Sequence, residues 1–239
     1  TDFLRETPLK LQPLRDISRA VRLLRSRARE FELDENRLAV CGFSAGGHLS
    51  ASLCVHFSDI MDTAPEYVSI SNRPDAAIFG YPVISSGKFA HQETFEALLG
   101  KDAPEEEREY MSLEHQVTAD TPPCFLWATA TDEDVPVENS ILFADACRNH
   151  GVCCAFHMFS EGPHGLSLAD EDWARGRKQD PYTGEQLTGI IAKIQSGEMS
   201  MPAALQTMME QQPAQEIRTP IPEVAVWPML ADAFLKSHM

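Results

Sequence analysis

No stretch of this chain approaches the roughly 18 consecutive apolar residues that a membrane-spanning helix needs. Positive charge is also scarce: 20 Lys and Arg stand against 36 Asp and Glu, a formal net charge of −16. Such a surface repels phosphate backbones and anionic lipid, so neither nucleic acid nor a membrane surface is an expected partner. A small ligand without strong negative charge is the expectation that remains. None of the six cysteines (Cys41, Cys54, Cys124, Cys147, Cys153 and Cys154) stands in a C-x-x-C pair. No cluster of Cys and His has metal-ligand spacing, so no metal is expected. Cys41, Cys124, Cys153 and Cys154 lie in apolar, strand-like runs, where a thiol acts as a small hydrophobe. A reduced, cytoplasmic protein is the economical expectation. Internal repeats and a signal-peptide pattern are both missing. Thr1 is not an initiator methionine, and a preceding segment is expected.

What is present is the composition of a globular domain: 239 residues, 43% hydrophobic, 8% aromatic and 23% charged. Residues 14–31 predict an amphipathic helix whose apolar face carries Ile17, Ala20, Val21, Leu23 and Leu24. After the turn at Asp34-Glu35-Asn36, the short run Leu38 to Cys41 predicts a strand buried on both faces. Helical spacing resumes from Ala45 to about Phe57. The alternation then repeats, with strands at Ala76–Phe79, Cys124–Trp127 and Val152–Phe159. Between them lie helical pieces over 92–112 and a helix from Asn139 to His150. Strands alternating with helices predict parallel βαβ units. From about 170 to 222 no strand is evident. Leu187, Ile190, Ile191 and Ile194 predict one helix there, and Met201, Leu205 and Met208 a second. A closing helix, with Trp227, Leu230 and Phe234, runs from Val224 to Leu235. The expected organisation is one α/β domain over 1–239 with a helical insertion at 170–222, its role open between a cap, a dimer arm and an addition to the core.

Gly42-Phe43-Ser44-Ala45-Gly46 is a G-x-S-x-G run placed between a strand and a helix, which is what a nucleophile elbow requires. The turn lifts the Ser44 hydroxyl above the sheet. Gly42 and Gly46 let neighbouring backbone pass without a Cβ clash. The helix that follows aims its positive end at the site, and the Ala45 N–H is placed to donate to a developing oxyanion. A serine hydroxyl needs a base to take its proton and an acid to orient that base. His164, in Glu161-Gly162-Pro163-His164-Gly165, follows the last strand and is the best base. His157 falls within a strand, and His91, His115 and His150 fall in helix- or loop-like segments. His48 lies in the elbow's own helix and reads as packing or pocket lining. The acid is expected in Thr131-Asp132-Glu133-Asp134-Val135-Pro136, where spacing alone does not separate Asp132 from Asp134.

With these blocks in hand, the chain resembles the acetyl xylan esterase-like branch of the α/β-hydrolases, near the esterases related to hormone-sensitive lipase. The resemblance rests on Ala39 to Leu49, Tyr81-Pro82-Val83-Ile84-Ser85-Ser86-Gly87, Asp132 to Ser140 and Gly162-Pro163-His164-Gly165-Leu166. It implies the C-terminal portion of an α/β-hydrolase fold, with an added helical segment before the last helix. It also implies a D-x-x-V-P acid, which selects Asp132, and hydrolysis of short-chain esters such as acetylated sugars without a cofactor. The glycine-rich oxyanion run of that family, His-Gly-Gly-Gly or Pro-Gly-Gly-Gly, is absent, as are the strands around it. A separate or missing N-terminal segment that completes the sheet is therefore the expected partner, and a homo-oligomer is compatible with the pattern. Two rival readings remain. One is a serine peptidase of the prolyl-oligopeptidase type, which shares the Ser-Asp-His order but for which no propeller is visible. The other is an impaired homologue acting as a binding subunit.

Overall fold

The computed structural model describes residues 7–175, 192–194, 196–197 and 218–239. Two units divide the chain: Thr7–Ser167 with Val226–Met239 forms the first, and the described part of Leu168–Ala225 belongs to the second. Of the helix expected from Leu187 to Ile194 only residues 192–194 are described, and they are helical; the rest of it, and the helix expected around Met201–Met208, lie outside the described residues. So does most of the 170–222 insertion.

In the first unit the chain runs α1 (Gln12–Ser26), β1 (Ala39–Phe43), α2 (Ala45–His56), β2 (Ala76–Gly80), α3 (Gln92–Leu99) and α4 (Glu105–Tyr110). It continues through β3 (Cys124–Thr129), α5 (Glu138–Asn149) and β4 (Cys154–Phe159). In the second unit a short α6 (Glu171–Ala174) follows, and α7 (Trp227–His238) closes the first unit. The four strands form one parallel sheet in the order β1-β2-β3-β4. Phe43 pairs with Gly80, Gly80 with Trp127, and Trp127 with His157. Alternation along the strands sorts the two faces. Ala77, Phe79, Cys124 and Leu126 pack with Ala51 and Cys54 of α2 and with Phe143 and Cys147 of α5. On the other face Phe125 meets Phe234, and Trp127 stacks on Trp227, both rings from α7. Every residue of β2 and β3 is buried, as helices on both faces of a parallel sheet require. No helix among the described residues is long and apolar enough to cross a membrane.

Two expectations need correction. The first concerns β1, expected to be buried on both faces. Ala39 and Cys41 are exposed, because among the described residues β1 pairs with β2 alone and its other edge carries no strand. The second concerns α1, which ends at Ser26 rather than running to Phe31. Beyond Leu24 the apolar stripe fails. Ser26 Oγ turns back to the Leu23 carbonyl at 2.8 Å, a local bond that competes with the helix. The buried face of α1 is also rotated from the expected one. It carries Leu14, Ser18, Val21 and Arg22, while Ala20 and Leu24 face outward. Two polar groups on a buried stripe are tolerated because both are paired. Ser18 Oγ accepts from Asn72 Nδ2 at 2.9 Å, and the Arg22 guanidinium donates to the carbonyls of Ile60, Tyr67 and Ile70.

Candidate active site

All the loops that matter leave the C-terminal ends of the parallel strands, the edge where open α/β sheets gather ligands. Ser44 stands between β1 and α2 with φ 54° and ψ −123°. A non-glycine residue with positive φ costs on the order of 1–3 kcal/mol and persists only where its surroundings fix it. Here three main-chain bonds do so. Ser44 N donates to Gly80 O at 3.0 Å, and Ser44 O accepts from His48 N at 3.1 Å and Val83 N at 3.2 Å. The elbow also needs close backbone approach. A Cβ on Gly42 would overlap the Gly46 carbonyl, whereas one on Gly46 would meet nothing within 4 Å. The steric demand therefore falls on Gly42, and Gly46 contributes its backbone rather than its missing side chain. Gly47, which the pattern did not single out, is tight as well: a Cβ there would lie 2.7 Å from Cβ of Pro82.

His164 Nε2 lies 2.8 Å from Ser44 Oγ, and His164 Nδ1 lies 2.7 Å from Asp132 Oδ2. With Nδ1–H donating to the carboxylate, Nε2 is left as the acceptor for the serine hydroxyl. Asp132 is nearly enclosed, its side chain 1% exposed. Its other oxygen accepts from Asp134 N at 3.0 Å and Val135 N at 2.9 Å. Three N–H donors, His164 Nδ1–H and the two backbone groups, thus satisfy the buried carboxylate. Asp134 is exposed and lends the site only its backbone N–H. The structure thus joins Ser44, His164 and Asp132 in one hydrogen-bonded line and leaves Asp134 beside it. Ala45 and Gly46 open α2 and are exposed, and the Ala45 N–H is one of the first-turn donors at the helix's positive end.

The remaining histidines serve elsewhere. His91 caps α3 by accepting from Thr94 N, His115 pairs with Glu109, His150 Nδ1 lies 3.0 Å from Ala146 O, and the His157 ring lies against Phe125. His48 is buried, with Nδ1–H donating to Val83 O at 3.1 Å and the ring edge-on to Phe95. Burial pushes its pKa down to about 4, against the opposing bond to Val83 O and with a small contribution from His56. The folded value lies below the unfolded one, so the unfolded chain binds the extra proton first. The stability this supplies is complete above about pH 6.5 and is lost as pH falls towards 4, by up to about 1.4 kcal/mol per pH unit. We expect the urea midpoint of the wild type to drop across that window and His48→Gln to flatten the drop. Identical pH dependence in the two proteins would contradict this account.

Sequence reasoning missed Asn139. It is fully buried and makes four bonds: Oδ1 accepts from Ile84 N and Ser85 N, and Nδ2 donates to Phe89 O and Pro136 O. It ties the loop after β2 to the acid loop after β3. Nothing in its spacing announces this, because a buried asparagine is visible only through its partners. Among the described residues no group of three or more His, Cys, Asp or Glu is arranged to hold a metal. All six thiols are free.

A parallel sheet with a strained serine at a strand-to-helix elbow, met by a histidine from the last strand's loop, is the architecture of the α/β-hydrolases, and solved members share this fold. The family model described as BD-FAE matches residues 8–147, and the chain belongs to that family. Endo-1,4-beta-xylanase B of Butyrivibrio fibrisolvens is 47% identical over 186 residues, covering 78% of this chain and 29% of that protein. Acetylxylan esterase of Xylanibacter ruminicola is 30% identical over 161 residues, 65% of this chain and 31% of that protein. The chain thus spans about three-tenths of the length of these curated relatives. Among solved structures, the acetyl ester-xyloside bifunctional hydrolase of Caldicellulosiruptor lactoaceticus is 45% identical with a TM-score of 0.62, over 65% of this chain and 58% of that one.

Proposed function

We propose that this chain hydrolyses short-chain carboxylic esters, acetyl esters of sugars above all, through an acyl-enzyme on Ser44. The observation that carries the reading is the unbroken line from Ser44 Oγ through His164 to the enclosed carboxylate of Asp132. His164 takes the hydroxyl proton as Ser44 attacks the ester carbonyl, and returns it to the departing alcohol. Asp132 holds the imidazole in the Nδ1–H tautomer and stabilises its cation. The Ala45 N–H donates to the oxyanion of each tetrahedral intermediate. Water, deprotonated by the same imidazole, then releases the acid. Two relatives with xylanase or acetylxylan esterase names, and a solved acetyl ester-xyloside hydrolase, support a sugar-borne acetyl ester as substrate.

The reading calls for a second oxyanion donor. We assign it to a strand and loop lying along the edge of β1 that is unpaired among the described residues, where Ala39 and Cys41 are exposed. The test of the activity compares p-nitrophenyl acetate, a longer-chain ester and a proline anilide. Preferred, Ser44-dependent turnover of the acetate supports the esterase. Anilide cleavage would favour a peptidase, and the absence of Ser44-dependent turnover would favour a binding subunit. The acid can be checked in the same assay. Asp132→Asn is expected to lower kcat by on the order of 100- to 10,000-fold through loss of the tautomer, and Asp134→Asn by only a few-fold. Equal losses in the two variants would remove Asp132 from the role.

A further inference from the structure

The loop that carries His164 is held by no helix or strand ladder, and three of its residues, Gly162, Gly165 and Ser167, have positive φ. What fixes it is a pair of anchors on either side of the histidine. The front anchor is Gly162, whose carbonyl accepts from Thr129 Oγ1 at 2.8 Å and Thr131 Oγ1 at 3.3 Å. Its N–H donates back to Thr131 Oγ1 at 2.9 Å. Those bonds attach the loop to the end of β3. The rear anchor is Ser167, three residues beyond the imidazole. Its N–H donates to Tyr81 Oη at 3.1 Å, and its carbonyl accepts from Trp227 Nε1 at 2.8 Å.

Neither aromatic ring at the rear anchor is free to drift. Tyr81 follows β2 with φ 37°, and its own N–H donates to Trp127 O at 2.6 Å. Its ring lies edge-on to Trp127 at 5.0 Å and to His164 at 4.8 Å. Trp227 stacks on Trp127 at 5.5 Å, and both Tyr81 and Trp227 pack against Phe43, the residue before Ser44. One aromatic block therefore touches the nucleophile's strand and grips the histidine's loop. Burial keeps the Tyr81 phenol above its ordinary pKa, so it remains a neutral hydrogen-bonding group.

We propose that Tyr81 and Trp227 are positioning residues that, by holding the N–H and carbonyl of Ser167, set the imidazole of His164 against Ser44. The inference rests on the ester-hydrolase reading, and it extends the site to the C-terminal helix. Productive geometry tolerates little displacement, so loosening one anchor should slow chemistry more than binding.

The test uses Tyr81→Phe, which keeps the ring and removes the bond, and Trp227→Phe, which removes the N–H and also shortens the ring that stacks on Trp127. Phe143→Leu, in the core between α5 and the sheet, serves as a control that lowers stability without touching the loop. Turnover of p-nitrophenyl acetate is measured per active site, counted with a fluorophosphonate, and the downfield proton resonance of His164 Nδ1–H is recorded in each protein. Each positioning variant is expected to lose about 3- to 30-fold in kcat with KM within about twofold, and to shift or broaden that resonance. The control is expected to lower Tm with kcat per site unchanged. Wild-type turnover that depends on Ser44, with unchanged kcat and resonance in both positioning variants, would overturn the clamp while leaving the esterase standing. Absent wild-type turnover would instead defeat the esterase reading, and an unshifted resonance in the variants would then overturn the clamp by itself. If Trp227→Phe fails to fold, Tyr81→Phe decides the matter alone.

Discussion

Ser44→Ala is expected to reduce hydrolysis of p-nitrophenyl acetate by on the order of a thousandfold to a millionfold while leaving the fold in place. The size follows from the proposed mechanism. Without Oγ no acyl-enzyme forms, and His164 and Asp132 have no hydroxyl to activate, so the remaining rate comes from binding and the oxyanion donor alone. The fold should survive because only one side-chain oxygen is deleted. The bonds that hold residue 44 at φ 54° all run through its backbone N–H and carbonyl. A Tm within a few degrees of wild type, beside lost turnover, is the expected pair of results. Turnover within tenfold of wild type would place the nucleophile elsewhere.

Gly42→Ala should act in the opposite way, through stability. The added methyl would overlap the Gly46 carbonyl and press on Ser50 Oγ at 2.6 Å. The first obstacle is main chain at the start of α2 and cannot swing aside, so β1 and α2 must separate. Overpacking in a tight core typically costs 1–3 kcal/mol, and rigid backbone as the obstacle puts this case at about 3 kcal/mol or more. At roughly 2–4 °C per kcal/mol for a chain of this size, Tm should fall by about 10 °C. Gly46→Ala is the internal comparison. A Cβ there meets nothing within 4 Å, and alanine favours a helix start over glycine, so its Tm should hold or rise slightly. Similar melting of both variants would show that the elbow is looser than its geometry implies.

Much of the fold can be read in the sequence, and the reasons are local. The runs that become β2 and β3 are apolar on both faces because helices cover both, so their pattern needs no context. The elbow announces itself because a strand, a G-x-S-x-G turn and a helix follow one another without a gap. Features set by partners far along the chain are harder to see. The exposure of β1 depends on which strand lies beside it, and its composition does not record that. Asp132 and Asp134 look alike in their loop until the N–H groups of residues 134 and 135 converge on one of them. Tyr81 lies just past an expected strand and Trp227 in an expected closing helix, and their shared grip on Ser167 appears only once α7 is laid against the sheet. The buried face of α1 misleads for a related reason: Arg22 behaves as a core residue because three carbonyls from the loop between α2 and β2 receive it.

The partners Ser44 and His164 are separated by 120 residues of sequence. Closing so long an interval is expected to come late in folding, because contacts of long sequence separation carry the largest loop-closure entropy. Ester turnover should therefore lag behind helix content when the chain is refolded from denaturant. Enzymatic assay would then time the completion of this molecule, whereas circular dichroism times its beginnings.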